Sequence, residues 1–151
     1  MLSRRSFISA AAIVLASRPL HALEAFSSLP DITVYKDPSC GCCIKWVAHM
    51  KAAGFKVIAH DTADVASVKA SMGVPAALQS CHTGVIAGYA IEGHVPADVV
   101  KKLLAEKPKD VRGLAVPGMP QGSPGMETGR TDHYEIMAFD RAGKTRVFAS
   151  R

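Results

Sequence analysis

The sequence predicts a mixed α/β domain. Short β-branched and aromatic runs alternate with runs of helical periodicity. Three cysteines stand at the first handover from one kind to the other. Two strand-like runs in the middle of the chain are joined at a single glycine, too tightly for anything but a hairpin.

Ile32-Thr33-Val34-Tyr35 is β-branched and aromatic and places the first strand at 31–36. Asp37-Pro38-Ser39 breaks it and offers a helix cap. Residues 43–53 predict the first helix, closed by Gly54. Phe55 to His60 predicts the second strand. Asp64 to Met72 predicts the second helix, with Val65, Val68 and Met72 at helical spacing, and Gly73-Val74-Pro75 ends it. Cys81 to Ala87 and Tyr89 to Val95 are two strands meeting at Gly88. Pro96 then opens a third helix that runs to Glu106. The order is β-α-β-α-β-β-α. Its first β-α-β unit requires a parallel strand pair with a right-handed crossover, and the next two strands make an antiparallel hairpin. With a cysteine cluster ending the first strand, this is the thioredoxin-like arrangement. Residues 107–133 carry Gly113, Gly118, Gly122, Gly125 and Gly129 with Pro108, Pro117, Pro120 and Pro124, and show no periodicity. They predict a long Gly/Pro-rich loop, of a length that is usually functional or disordered. Tyr134–Phe139 and Thr145–Phe148 predict a C-terminal β-hairpin that anchors its far end.

The chain opens Met1-Leu2-Ser3-Arg4-Arg5-Ser6-Phe7-Ile8, a basic start followed by an apolar run to Ala16. That run is too short to span a bilayer and is followed by small residues, so residues 1–25 are expected to be an export signal. Ser-Arg-Arg-x-Phe favours the twin-arginine kind over an ordinary secretory signal, and cleavage after Ala22 or after Ala25 fits. Residues 26–151 are expected to form a single domain, located in the periplasm. Losing Arg4, Arg5, Arg18 and Glu24 lowers the formal charge from +5 to +3. That excess is too mild to argue for nucleic acid or a membrane surface as partner.

All four cysteines, Cys40, Cys42, Cys43 and Cys81, lie in the exported part. An oxidising compartment makes disulfide staples the default. Three thiols in one turn are a poor staple, however, because at most one of them can pair with Cys81. Cys40 and Cys43 form a C-x-x-C at a helix start, where the helix dipole favours thiolate and the spacing suits a disulfide or two metal bonds. Cys42 is one thiol more than a dithiol reductase needs. Surplus thiolates suit Cu(I), a soft ion, and can bridge several such ions, although zinc also accepts sulfur.

In the predicted fold Cys81, at the start of the third strand, faces the cysteine turn. A turn at Ala87-Gly88 pairs 83 with 92 and 81 with 94, which puts His94 across from Cys81 on one face. Alternation then sends His82 to the other face, so His94 is the better ligand candidate. His49, His60 and His133 are expected at the surface. Met119 and Met126 bring soft thioethers to the long loop, which is expected to lie over the site as a lid.

Several segments carry a resemblance: Val34-Tyr35-Lys36-Asp37-Pro38-Ser39-Cys40-Gly41-Cys42-Cys43, Ser80-Cys81-His82-Thr83, Glu92-Gly93-His94-Val95-Pro96, Gly113-Leu114-Ala115-Val116-Pro117-Gly118-Met119-Pro120 and Gly122-Ser123-Pro124-Gly125-Met126-Glu127. In this order, from about Asp31 to Phe148, they resemble the CopG-type copper-resistance proteins. The resemblance implies a periplasmic thioredoxin-like domain that binds copper through Cys40, Cys42, Cys43 and Cys81 and works with other copper-resistance proteins. The expected function is therefore periplasmic Cu(I) binding for copper resistance, with interconversion of Cu(I) and Cu(II) by the Cys40–Cys43 dithiol as its stronger form. The alternative is a thiol-disulfide oxidoreductase using Cys40 and Cys43.

Overall fold

The computed structural model describes residues 29–151, so the expected export signal at 1–25 lies outside the described residues. The elements run β1 (Ile32–Lys36), α1 (Gly41–Ala52), β2 (Val57–Asp61), α2 (Val65–Met72), a 3-10 turn (Ala76–Leu78), β3 (His82–Ile86), β4 (Tyr89–Glu92), α3 (Ala97–Glu106), β5 (Gly113–Ala115), β6 (Glu135–Phe139) and β7 (Thr145–Ser150). They form one sheet of seven strands in the order β2-β1-β3-β4-β5-β6-β7. β1 pairs parallel with β2 and antiparallel with β3, and β3 pairs antiparallel with β4. The parallel β1–β2 pair and the antiparallel β3–β4 hairpin are those the sequence predicts, and this half of the sheet is consistent with the thioredoxin-like arrangement. No helix among the described residues is long and apolar enough to cross a membrane.

The hairpin register is the one Gly88 predicts. Thr83 faces Glu92 and Ile86 faces Tyr89, and the two loop residues Ala87 and Gly88 have φ of 48° and 85°. Both central residues at positive φ define the tight turn whose twist matches the strands.

The second half of the sheet departs from expectation. Within the segment read as structureless, Gly113–Ala115 is a strand, parallel to β4 and antiparallel to β6. The C-terminal hairpin is thereby part of the main sheet. Three residues are too few for alternation to register in sequence. β5 succeeds because Gly113 has no side chain: a Cβ there would sit 2.4 Å from Ala90 O and 2.6 Å from the Phe139 ring.

Side-chain alternation along the strands feeds two cores. Ile32 and Val34 of β1, Ile86, Ile91 and Leu114 meet Trp46, Val47 and Met50 of α1 and Val99, Val100 and Leu103 of α3. On the opposite face Ala90, Ala115 and Phe139 pack with Val74 and Leu78 from the stretch after α2. The ends of β1, β3 and β4 nearest the start of α1 carry the chemically active side chains.

Candidate metal centre

The turn before α1 is shaped by Asp37, whose carboxylate accepts the backbone N–H and the hydroxyl of Ser39. Those bonds hold the Asp37 carboxyl below the usual carboxylate range. Ser39 is thereby engaged with Asp37, and the cap position falls to Cys40, whose side chain makes no capping bond. Cys42 and Cys43 occupy the first turn of α1, where free N–H groups and the helix dipole favour sulfur as an anion. Cys43 is fully buried, and Cys40 and Cys42 are half-buried.

Cys40 and Cys43 are joined as a disulfide, with their Cα atoms 5.3 Å apart. Cys42 and Cys81 are free. Cys42 Sγ lies 3.6 Å from Cys40 Sγ, 3.9 Å from Cys81 Sγ and 4.0 Å from Met119 Sδ. All four cysteine sulfurs fall within 4.8 Å of one another, close enough to hold a metal ion. Among the described residues the Met126 thioether makes no hydrogen bond to these sulfurs. Its backbone instead closes a turn, with Gly122 N–H donating to Met126 O at 2.9 Å.

Cys81 sits between two imidazoles. Its Sγ is 3.1 Å from His94 Nε2 and 3.3 Å from His82 Nδ1. The expectation that His82 points away is therefore corrected. The ladder ends at Glu92, and Gly93 follows with φ of 69°. Cys81 itself lies in a bend before β3. Alternation does not extend past the ends of the paired strands, so both rings converge on the same sulfur. His82 and His94 are fully buried, and His82 packs on Trp46 with ring centroids 4.4 Å apart.

The hydrogen-bond network assigns the His94 tautomer. Ser123 gives its proton to Pro120 O at 2.7 Å, so its oxygen accepts from His94 Nδ1 at 3.4 Å. His94 Nε2 then presents its lone pair to Cys81, as ligating histidines do when the other nitrogen is held. His82 Nε2 is buried without a partner among the described residues. Its Nδ1 is the ring nitrogen that faces Cys81. Burial, then the neighbouring His94, push His82 down to about 3, and burial also lowers His94. Burial, then Cys42, push the Cys81 thiol up to about 12. Burial thus favours the neutral form of both rings, beside a thiol that ionises on meeting a metal.

The Gly/Pro segment lies against this cluster. A Cβ on Gly125 would meet Cys42 O at 2.6 Å and Trp46 N at 3.1 Å, so the loop packs directly on the first turn of α1. Ser80 Oγ donates to Gly118 O at 2.6 Å, next to Met119, whose side chain is half exposed. Of the histidines expected at the surface, His60 and His133 are exposed. His49 is half-buried, and its Nε2 accepts the Ala97 N–H that opens α3.

Fold and site define a mixed α/β domain with a sulfur- and imidazole-lined candidate metal centre. A family profile described as "Protein of unknown function, DUF411" matches residues 78–126, the stretch from the 3-10 turn through Cys81, His94 and Met119. Two solved structures, "Copper resistance protein copG- Form 1" and "Copper resistance protein copG- Form 2", are each similar to this chain at 48% identity with a TM-score of 0.77. Each match covers 82% of this chain and 98% of the other. No curated protein sequence matches. The chain belongs to the CopG copper-resistance protein family.

Proposed function

We propose that this protein is a periplasmic copper-handling protein that takes up Cu(I) as cargo on the sulfurs of Cys40, Cys42, Cys43 and Cys81. The observation that carries the reading is the convergence of all four sulfurs within 4.8 Å. Met119 Sδ beside Cys42 and His94 Nε2 beside Cys81 are further donors. Thiolate and thioether are soft and select Cu(I) over harder ions, and thiolates can bridge more than one such ion. The name of the solved relatives supports copper as the metal.

In the fuller form of the proposal, the protein also changes the oxidation state of copper. Closing the Cys40–Cys43 dithiol to a disulfide releases two electrons and two protons. Two Cu(II) ions each take one electron and become Cu(I), and the protons go to solvent. The disulfide seen here is the oxidised end of that couple, and a partner dithiol returns it to the reduced state by exchange. The same disulfide favours a second reading, a thiol-disulfide oxidoreductase acting on protein thiols.

Anaerobic Cu(I) titration of the reduced protein tests the proposal. Wild type is expected to bind Cu(I), and Cys42→Ser and Cys81→Ser to bind fewer ions with unchanged circular dichroism. Unchanged copper content in Cys42→Ser returns that thiol to a structural role. Turnover of glutathione disulfide by metal-free protein, equal in wild type and Cys42→Ser, supports the second reading.

A further inference from the structure

Behind the centre, on the face of the sheet away from α1, lies a buried ion pair that the copper chemistry does not use. Lys69 of α2 and Glu92, the last residue of β4, are 6% and 0% exposed. Lys69 Nζ donates to Glu92 Oε1 at 2.5 Å and to Thr83 Oγ1 at 3.2 Å. Thr83 Oγ1 donates to Glu92 Oε2 at 2.7 Å. The same Oε1 accepts the backbone N–H of Ser80 at 2.6 Å.

A buried pair is a poor device for stability alone, because desolvating two charges offsets most of their attraction. Its placement here has a second consequence. Ser80 precedes Cys81, Glu92 lies two residues before His94, and no regular ladder holds either Cys81 or His94 in place. The carboxylate thus ties the bend carrying the thiol to the strand end carrying the imidazole. Ser80 carries the tie further, since its Oγ donates to Gly118 O beside Met119. The fit is close: a Cβ on Gly93 would meet Ser80 Cβ at 2.6 Å.

We propose that Glu92, held in place by Lys69, is a positioning residue that fixes Cys81 against Cys42 and His94 by accepting the Ser80 N–H. The copper part of this inference rests on the function proposed above, whereas the placement of Cys81 does not. Two doubly neutral variants separate the effects: Lys69→Met/Glu92→Gln keeps an acceptor for Ser80, and Lys69→Met/Glu92→Leu removes it. Two readouts are taken. One is the rate at which maleimide alkylates Cys81 relative to Cys42 in metal-free protein with the Cys40–Cys43 disulfide intact. The other is Cu(I) affinity of the reduced protein against a chromophoric chelator.

The Leu pair is expected to alkylate Cys81 ~10-fold faster and to bind Cu(I) ~10-fold more weakly, the scale of one lost hydrogen bond to a charged group. The Gln pair is expected to stay within ~3-fold of wild type on both, given the acceptor it retains. A folded Leu pair with wild-type alkylation overturns the inference, and so does a Gln pair that behaves like the Leu pair. Should the Leu pair not fold, Ser80→Pro takes its place. It removes the N–H together with the hydroxyl that bonds Gly118 O, and Gln79, with ψ of 142°, already has the extended backbone that precedes proline. Its control is Ser80→Ala, and equal Cys81 alkylation in the two overturns the inference. If wild type binds no Cu(I), the proposed function fails, and the alkylation contrast still decides the positioning role.

Discussion

Trp46 shows how single side chains join core and site. It is fully buried in α1, its Nε1–H donates to Val95 O at 2.9 Å, and its ring covers His82. The indole therefore fixes the segment following His94 as well as the orientation of His82. Trp46→Phe keeps an aromatic ring and leaves the Val95 carbonyl without that partner. Denaturant unfolding is expected to show a loss of about 2 kcal/mol, the usual penalty for an orphaned buried polar group plus lost volume. Unchanged stability would mean that the carbonyl finds another donor. At this scale the cysteines were legible because three thiols in one turn are a rare pattern with few uses. The sequence misleads on His82 because alternation does not hold at Cys81 and His94, which lie past the last β3–β4 pair. The Lys69–Glu92 pair was missed because nothing in a lysine and a glutamate 23 residues apart indicates that they meet.

Among the elements, the segment between α3 and β6 matters most to the site. Its first part enters the sheet as β5, and its later part crosses the start of α1 at Gly125 and brings Met119 to Cys42. Under the proposed function, copper held between Cys42 and the Met119 thioether would tie this segment to α1. Limited proteolysis is therefore expected to cleave residues 113–127 more slowly in copper-loaded than in metal-free protein. Equal rates would make Met119 a bystander. The boundaries of α1, α2 and α3 were readable to within two residues, because Gly54, Asp64 and Pro96 punctuate long periodic runs. β5 was not readable, since its partners lie on either side of long connections and its own three residues carry no pattern.

Across the whole molecule, the order of strands and helices up to Glu106 was legible in the sequence, and the β3–β4 register followed from a single glycine. The continuation of the sheet through β5 to β7 was not legible, because it depends on a close approach that only the absence of a Gly113 side chain permits. The result is a domain whose chemistry is gathered at one end of the sheet. The start of α1, the bend before β3, the end of β4 and the loop after β5 all contribute to it. The central claim is that these sulfurs form one soft-metal centre. Competition between Cu(I) and Zn(II) for the fully reduced protein, followed by metal analysis, tests it most directly. Cu(I) is expected to be retained and zinc displaced, as a thiolate- and thioether-rich donor set requires. Zinc retained in the presence of Cu(I) would contradict it.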